Sequence, residues 1–344
     1  MTTPPPPPAP SAPFGSVFAS TMAVASWSDG EWTAPRLGPV EPFSLHPATH
    51  VFHYGSECFE GLKAHRGRDG VVRVFRLDSH VRRMRTSAEI LMLPVPPVEM
   101  LTSMVLDVVG ACLDDVPAAP GSLYLRPTLI GTVPNIGAAA SPSSSAMLFV
   151  LASPVGDYFA GGIRPLRLAV ETVHPRTTPQ FGVVKSGANY AMALGPTMRA
   201  KRELGADQVL FAPAGVIQET GAANFLMIDP GRIVTPALTE AFLHGVTRDS
   251  VLTLGGDLGY EVDERDKLTV DDLVDWAGHD DAEAALSGTA AVLSAVGSVI
   301  VDGEEVAVGS GAVGSHTLAL RKALTDLHAG VAEDRYGWLT PVVP

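Results

Sequence analysis

Lysine is scarce in this chain, with five residues among 344, and acidic side chains outnumber lysine and arginine together by 37 to 24. The formal charge of −13 leaves no basic face for nucleic acid or for an anionic membrane. Long apolar runs are also missing. Gly288 to Val301 (GTAAVLSAVGSVIV) is apolar, but it is shorter than the roughly 20 residues a membrane span needs, and Ser and Gly interrupt it. Cysteine is nearly absent. Cys58 and Cys112 stand far apart and outside any metal-ligand spacing, which points to a reducing compartment, no disulfide framework and two small buried side chains. The N-terminal MTTPPPPPAPSAP lacks the basic start and apolar core of a signal peptide. Its five consecutive prolines read as a solvated polyproline II tail, so residues 1–13 are expected to be disordered. Together these absences give the expectation of a cytoplasmic protein.

What is present has no internal repeat and no strict alternation of strand and helix. DSHVRRMRTSAEILML (78–93) carries Val81, Met84, Ala88 and Leu91 at helical spacing, with Asp78 or Ser79 as the expected cap and Pro94 as the stop. LYLRPTLI (123–130) alternates, placing Leu123 and Leu125 on one face and Tyr124 and Arg126 on the other. AMLFVLASPV (146–155) reads as a buried strand. GDYFAGG (156–162) follows as a glycine-rich bridge. Beyond it, LRLAVETV reads as a strand and 207–229 as strand, turn, strand, turn, strand. A helix is expected from Gly245 to Gly255 or Gly256, another over VDDLVDWA, and one from Asn189 to Leu204 kinked or restarted at Pro196. The mixture is α+β, in two domains. The divisions read are a tail (1–13), an N-terminal domain (14–152), an interdomain loop (153–163) and a C-terminal domain (164–344).

The lysines separate by context. Lys63, Lys201, Lys267 and Lys322 have charged neighbours and read as solvated. Lys185, in FGVVKSGANYAM, sits among Phe, Gly, Val, Ser and Ala. It is either a loop lysine or a desolvated amine with a lowered pKa, suited to forming a Schiff base. Four further features bear on the choice. HGVTRDSV opens a helix at Gly245, Val246 and Thr247, which is either an ordinary helix start or an anion site. Arg83 is either a solvated helix arginine or a phosphate ligand. GTAA (288–291) is either a plain turn or a source of hydroxyl and N–H donors. Glu219, in VIQETGAANF, is either an exposed strand end or the carboxylate partner of a pyridinium nitrogen. Taken together they are a lysine, a phosphate cup, an arginine and a carboxylate.

The stretches HYGSECFEGLKAHRG, HVRRMRTSAE, LYLRPTLIGT, PVGDYF, VVKSGANY, IQETGAANF, HGVTRDSV and SGTAAV occur in an order and spacing that resemble the branched-chain-amino-acid aminotransferases, class IV aminotransferases of pyridoxal-phosphate fold type IV. The resemblance runs from about Phe14 to near the C-terminus. It implies two α/β domains, the N-terminal one smaller, with pyridoxal 5'-phosphate between them. Lys185 would carry the cofactor as a Schiff base and move the proton. Tyr190 would bond the cofactor's phenolic oxygen, and Glu219 its ring nitrogen. Arg83, the N–H groups of Val246 and Thr247, and the Thr289 hydroxyl would hold the phosphate. The N–H groups of Ala222 and Ala290 would face the substrate carboxylate, and Tyr54 and Phe59 would line the side-chain pocket. Arg126, beside Tyr124, would meet the distal carboxylate of glutamate or 2-oxoglutarate. The bridge from Val155 to Phe159 would form a lid, and a homodimer is implied. The implied reaction is transamination of leucine, isoleucine or valine with 2-oxoglutarate. The alternative is a fold type IV aminotransferase for a D-amino acid, an aromatic or a specialised-metabolism substrate. The chain departs from some relatives in having AAVLSA where they carry a redox Cys-x-x-Cys, His244 before Gly245, and alanines in QETGAAN.

Overall fold

A computed structural model describes residues 12–157 and 162–343. The described residues form two compact units. One comprises the chain up to residue 157, residues 184–187 and the chain from 326 onward; the other comprises 162–183 and 188–325. Residues 158–161, within the bridge read as a lid, lie outside the described residues, as does most of the proline-rich tail.

The first unit is built on an antiparallel sheet of nine strands among the described residues. Its central strands, Ser122–Gly131 and Ala146–Val155, pair along their full ten-residue lengths. Leu62–Arg66 pairs with the first of these, Thr21–Ser28 with the second, and the short strand Glu57–Phe59 with Thr128–Ile130. The last residues belong here: Leu339–Pro341 adds an edge strand on Val72–Phe75, and Val342 enters the core. The unit carries helices α1 (His50–Tyr54), α2 (Leu77–Ile90) and α3 (Val98–Ala111). The apolar stripe predicted on α2 is real: Val81, Met84 and Ala88 are buried with Leu101, Met104, Val105 and Val108 of α3 against Leu123, Leu125, Leu148 and Val150. Each large apolar side chain here contributes about 1.5–3 kcal/mol on leaving water.

The start of α2 corrects the expectation. Neither Asp78 nor Ser79 caps it; Arg76 stands at the cap in a left-handed conformation (φ 52°). Its N–H donates to the Trp338 carbonyl at 2.7 Å, and its guanidinium lies 4.6 Å from the Trp338 ring. Lys63 is a second correction. It is 8% exposed rather than solvated, because it lies on a largely buried strand and pairs with Tyr124.

The second unit holds a mixed eight-stranded sheet among the described residues. Leu166–Glu171 runs parallel to both Gln208–Phe211 and Val292–Val301, whereas Asn224–Asp229 is antiparallel to Arg232–Pro236 and Glu283–Gly288. The unit carries α5 (Val246–Asp257) and α6 (Val270–Ala277) and most of α4 (Gly187–Leu204) and α7 (Ser315–His328). Pro196 lies inside α4, which is assigned as one helix through it. Helix α5 passes Gly255 and Gly256 and ends at Asp257, because the left-handed turn that reverses the chain falls at Gly259 (φ 91°). Leu210, Phe225, Met227, Leu273, Trp276 and Val299 anchor the core.

Candidate active site

The first unit assembles a lysine, an arginine and two aromatic rings. The strand Glu57–Phe59 runs beside the 184–187 segment. The Phe59 N–H donates to the Lys185 carbonyl at 3.0 Å, and the Lys185 N–H donates to Ser87 Oγ at 3.0 Å. Lys185 Nζ lies 5.0 Å from the Phe59 ring centroid, and the Arg126 guanidinium lies 4.4 Å from the same ring. Arg126 Nη2 donates to Tyr124 Oη at 2.9 Å, so the strand alternation does put these two side chains on one face. Tyr124 Oη in turn sits over Gly61, where a Cβ would come within 2.0 Å of it. Tyr54 donates its hydroxyl to the Ile136 carbonyl.

Arg83 has a carboxylate partner that the sequence did not reveal. Its Nε and Nη2 grip Glu60 Oε1 and Oε2 at 2.6 and 2.9 Å, and His80 Nδ1 meets Oε2 at 2.7 Å. Glu60 is buried, which by itself would raise its pKa. The charges of Arg83 and His80 outweigh that and hold the carboxyl well below the usual range. Burial pushes His80 below its ordinary value, with Glu60 opposing.

The second unit holds a buried carboxylate and the start of helix α5. Glu219 is no exposed strand end: it is 2% exposed. Asn224 Nδ2 donates to its Oε2 at 3.1 Å and the Leu243 N–H to its Oε1 at 3.1 Å. Arg176 Nη1 lies 2.6 Å from Oε1, and the Arg176 guanidinium is 5.7 Å from the Tyr190 ring. Asn224 ties this carboxylate to the start of α5. A Cβ on Gly245 would come 1.9 Å from Asn224 Oδ1, so only glycine fits there. Val246 and Thr247 follow in the first turn, where N–H groups have no carbonyl in the helix to receive them. Thr289 and Ala290 form the turn joining Glu283–Gly288 to Val292–Val301. That turn abuts the Thr220–Ala223 turn carrying Ala222: a Cβ on Gly288 would lie 3.7 Å from the Ala222 carbonyl oxygen.

Each of these groups suits one part of a phosphorylated pyridine aldehyde. A buried, hydrogen-bonded carboxylate suits a protonated ring nitrogen, helix N–H groups suit a phosphate, and a lysine among apolar neighbours suits a carbonyl. The amino-transferase class IV family model matches residues 57–299. The chain belongs to that family. It is 38% identical over 337 residues to a probable branched-chain-amino-acid aminotransferase of Streptomyces coelicolor, covering 95% of this chain and 91% of that one. It is 36% identical to branched-chain-amino-acid aminotransferase 2 of Bacillus subtilis, covering 96% and 92%. Among solved structures, a T.th. branched-chain amino acid aminotransferase with pyridoxamine 5'-phosphate matches at a TM-score of 0.76 and 28% identity, covering 93% and 98% of the two chains. The same T.th. enzyme complexed with N-(5'-phosphopyridoxyl)-L-glutamate matches at 0.74, with the same identity and coverage. The fold is thus the class IV aminotransferase fold, the α+β arrangement that the motifs implied. Arg176, Glu57 and Glu60 bond Glu219, the Gly187 N–H and Arg83, and sequence reasoning did not single them out. Arg176 carried one signal, an arginine without charged neighbours between two prolines in HPRTTP.

Proposed function

We propose that this aminotransferase moves the amino group between leucine, isoleucine or valine and 2-oxoglutarate, giving branched-chain 2-oxo acids and L-glutamate, with pyridoxal 5'-phosphate as cofactor. The observation that carries the reading is Glu219, a buried carboxylate tied through Asn224 to the helix start at Gly245. The relatives named for branched-chain substrates and the T.th. structures with phosphopyridoxyl ligands support it.

The cofactor supplies an electron sink for the charge that develops at the substrate α carbon. Lys185 anchors it and then takes up and returns the α proton. Glu219 keeps the ring nitrogen protonated, and Tyr190 bonds the phenolic oxygen. Arg83, the Val246 and Thr247 N–H groups and the Thr289 hydroxyl hold the phosphate. The Ala222 and Ala290 N–H groups receive the substrate carboxylate. Phe59 and Tyr54 line the wall for an apolar side chain, and Arg126, steadied by Tyr124, receives the distal carboxylate of glutamate. The reading includes a homodimer working in the cytoplasm. No helix among the described residues is long and apolar enough to cross a membrane, and both cysteines are free and buried.

Borohydride reduction of the purified holoenzyme followed by peptide mapping tests the cofactor lysine, with label expected on Lys185. A donor panel of leucine, isoleucine, valine, D-alanine and phenylalanine tests the substrate. Faster turnover of D-alanine than of leucine would sink the assignment.

A further inference from the structure

We propose that Glu57 is a positioning residue for Lys185, fixing the 185–187 turn and serving as counter-charge to the two cations that stand over the Phe59 ring. The inference rests on Lys185 being the cofactor lysine.

The turn is held at three points. The Lys185 N–H is taken by Ser87 Oγ, which is fully buried, and the Lys185 carbonyl by the Phe59 N–H. The third point is the Gly187 N–H, which donates to Glu57 Oε2 at 2.8 Å. Glu57 and Phe59 sit on one three-residue strand, itself paired to Thr128–Ile130. The turn therefore cannot shift without breaking a hydrogen bond in a part-buried setting. The approach is tight: a Cβ on Gly187 would lie 3.1 Å from Glu57 Oε2.

A hydrogen bond to Gly187 needs only an acceptor, which an amide also provides. The charge has a separate use. Lys185 Nζ and the Arg126 guanidinium lie 5.0 and 4.4 Å from the centroid of one ring, so two cations share the neighbourhood of Phe59. The charged groups acting on Glu57 are these same two, Arg126 from strand Ser122–Gly131 and Lys185 from the turn. Burial raises the Glu57 pKa, while the Gly187 N–H, Arg126, the Ser186 hydroxyl and Lys185 pull it down. Without the carboxylate, the attraction that Glu57 exerts on both cations is lost.

The test is a pH titration of the cofactor absorbance band in holoenzyme carrying Glu57→Gln, which keeps the acceptor and removes the charge. The midpoint is expected to fall by about one pH unit, and to return toward the wild-type value in the E57Q/R126M double variant. Borohydride mapping runs alongside. Label on Lys185 with an unmoved midpoint in E57Q overturns the role of Glu57 alone. Label on another lysine overturns both this role and the cofactor assignment on which it rests.

Discussion

Arg176 Nη1 and Glu219 Oε1 lie 2.6 Å apart, with each residue only 2% exposed. A buried ion pair adds little over an apolar pair of the same shape, but removing one partner strands a charge. Arg176→Met takes the guanidinium away from Glu219, whose bonds from Asn224 and the Leu243 N–H are uncharged and do not replace it. The expected loss is about 3–5 kcal/mol in urea unfolding. An R176M variant as stable as the wild type would show that the pair is not what holds this carboxylate.

The Arg176–Glu219 pair also marks where local sequence stops informing. The lysine in an apolar stretch, the helix start at Gly245 and the alternation of Tyr124 and Arg126 are legible because each depends on a few neighbouring residues. Arg176 and Glu219 are 43 positions apart, and nothing near HPRTTP names the partner. The cap of α2 fails for the same reason: Arg76 is set by Trp338, far along the chain. Lys63 misleads because the charged residues beside it in sequence do not keep its largely buried strand in water. Glu57 and Glu60 stand on either side of Phe59, and only the tertiary structure shows that one holds the Gly187 N–H and the other Arg83.

His65 and His328 stack with ring centroids 4.2 Å apart. Burial first, then the charges of His328 and Lys63, keep His65 well below its ordinary pKa. The folded state thus binds fewer protons here than the unfolded chain. The stability this provides is complete above the unfolded value, near 6.5, and is lost as pH falls from there toward the folded one. Urea unfolding between pH 8 and 5 is expected to weaken below about pH 6.5, and His65→Phe to flatten that decline. An identical slope in both proteins would remove His65 as the cause.

Gly61 makes room for Tyr124. A Cβ there would stand 2.0 Å from Tyr124 Oη and 2.9 Å from Cζ, and a tyrosine ring cannot yield as a flexible chain end does. Gly61→Ala is expected to displace the hydroxyl and break its bond to Arg126 Nη2. Losing one such bond weakens a ligand of Arg126 roughly five- to tenfold. The KM for 2-oxoglutarate should rise by that factor and the KM for leucine much less. Equal rises for both would argue that Arg126 does not meet the distal carboxylate.

Helix α6 begins with a reciprocal cap: Thr269 Oγ1 accepts from the Asp272 N–H at 3.1 Å, and the Thr269 N–H donates to Asp272 Oδ2 at 2.8 Å. The Thr269 hydroxyl and N–H hold the Asp272 carboxyl below its usual range. Just before the cap, the Leu268 carbonyl accepts from the Ile217 N–H at 2.8 Å, two residues ahead of Glu219. Thr269→Ala removes the hydroxyl half of the box and is expected to cost about 1 kcal/mol of stability. Catalysis should be spared, because Glu219 is held by Arg176, Asn224 and the Leu243 N–H rather than by α6. Thermal unfolding and steady-state kinetics on the same preparation separate the two effects. A large fall in kcat at unchanged KM would mean that the 216–219 segment, and with it the carboxylate, takes its position from the helix cap.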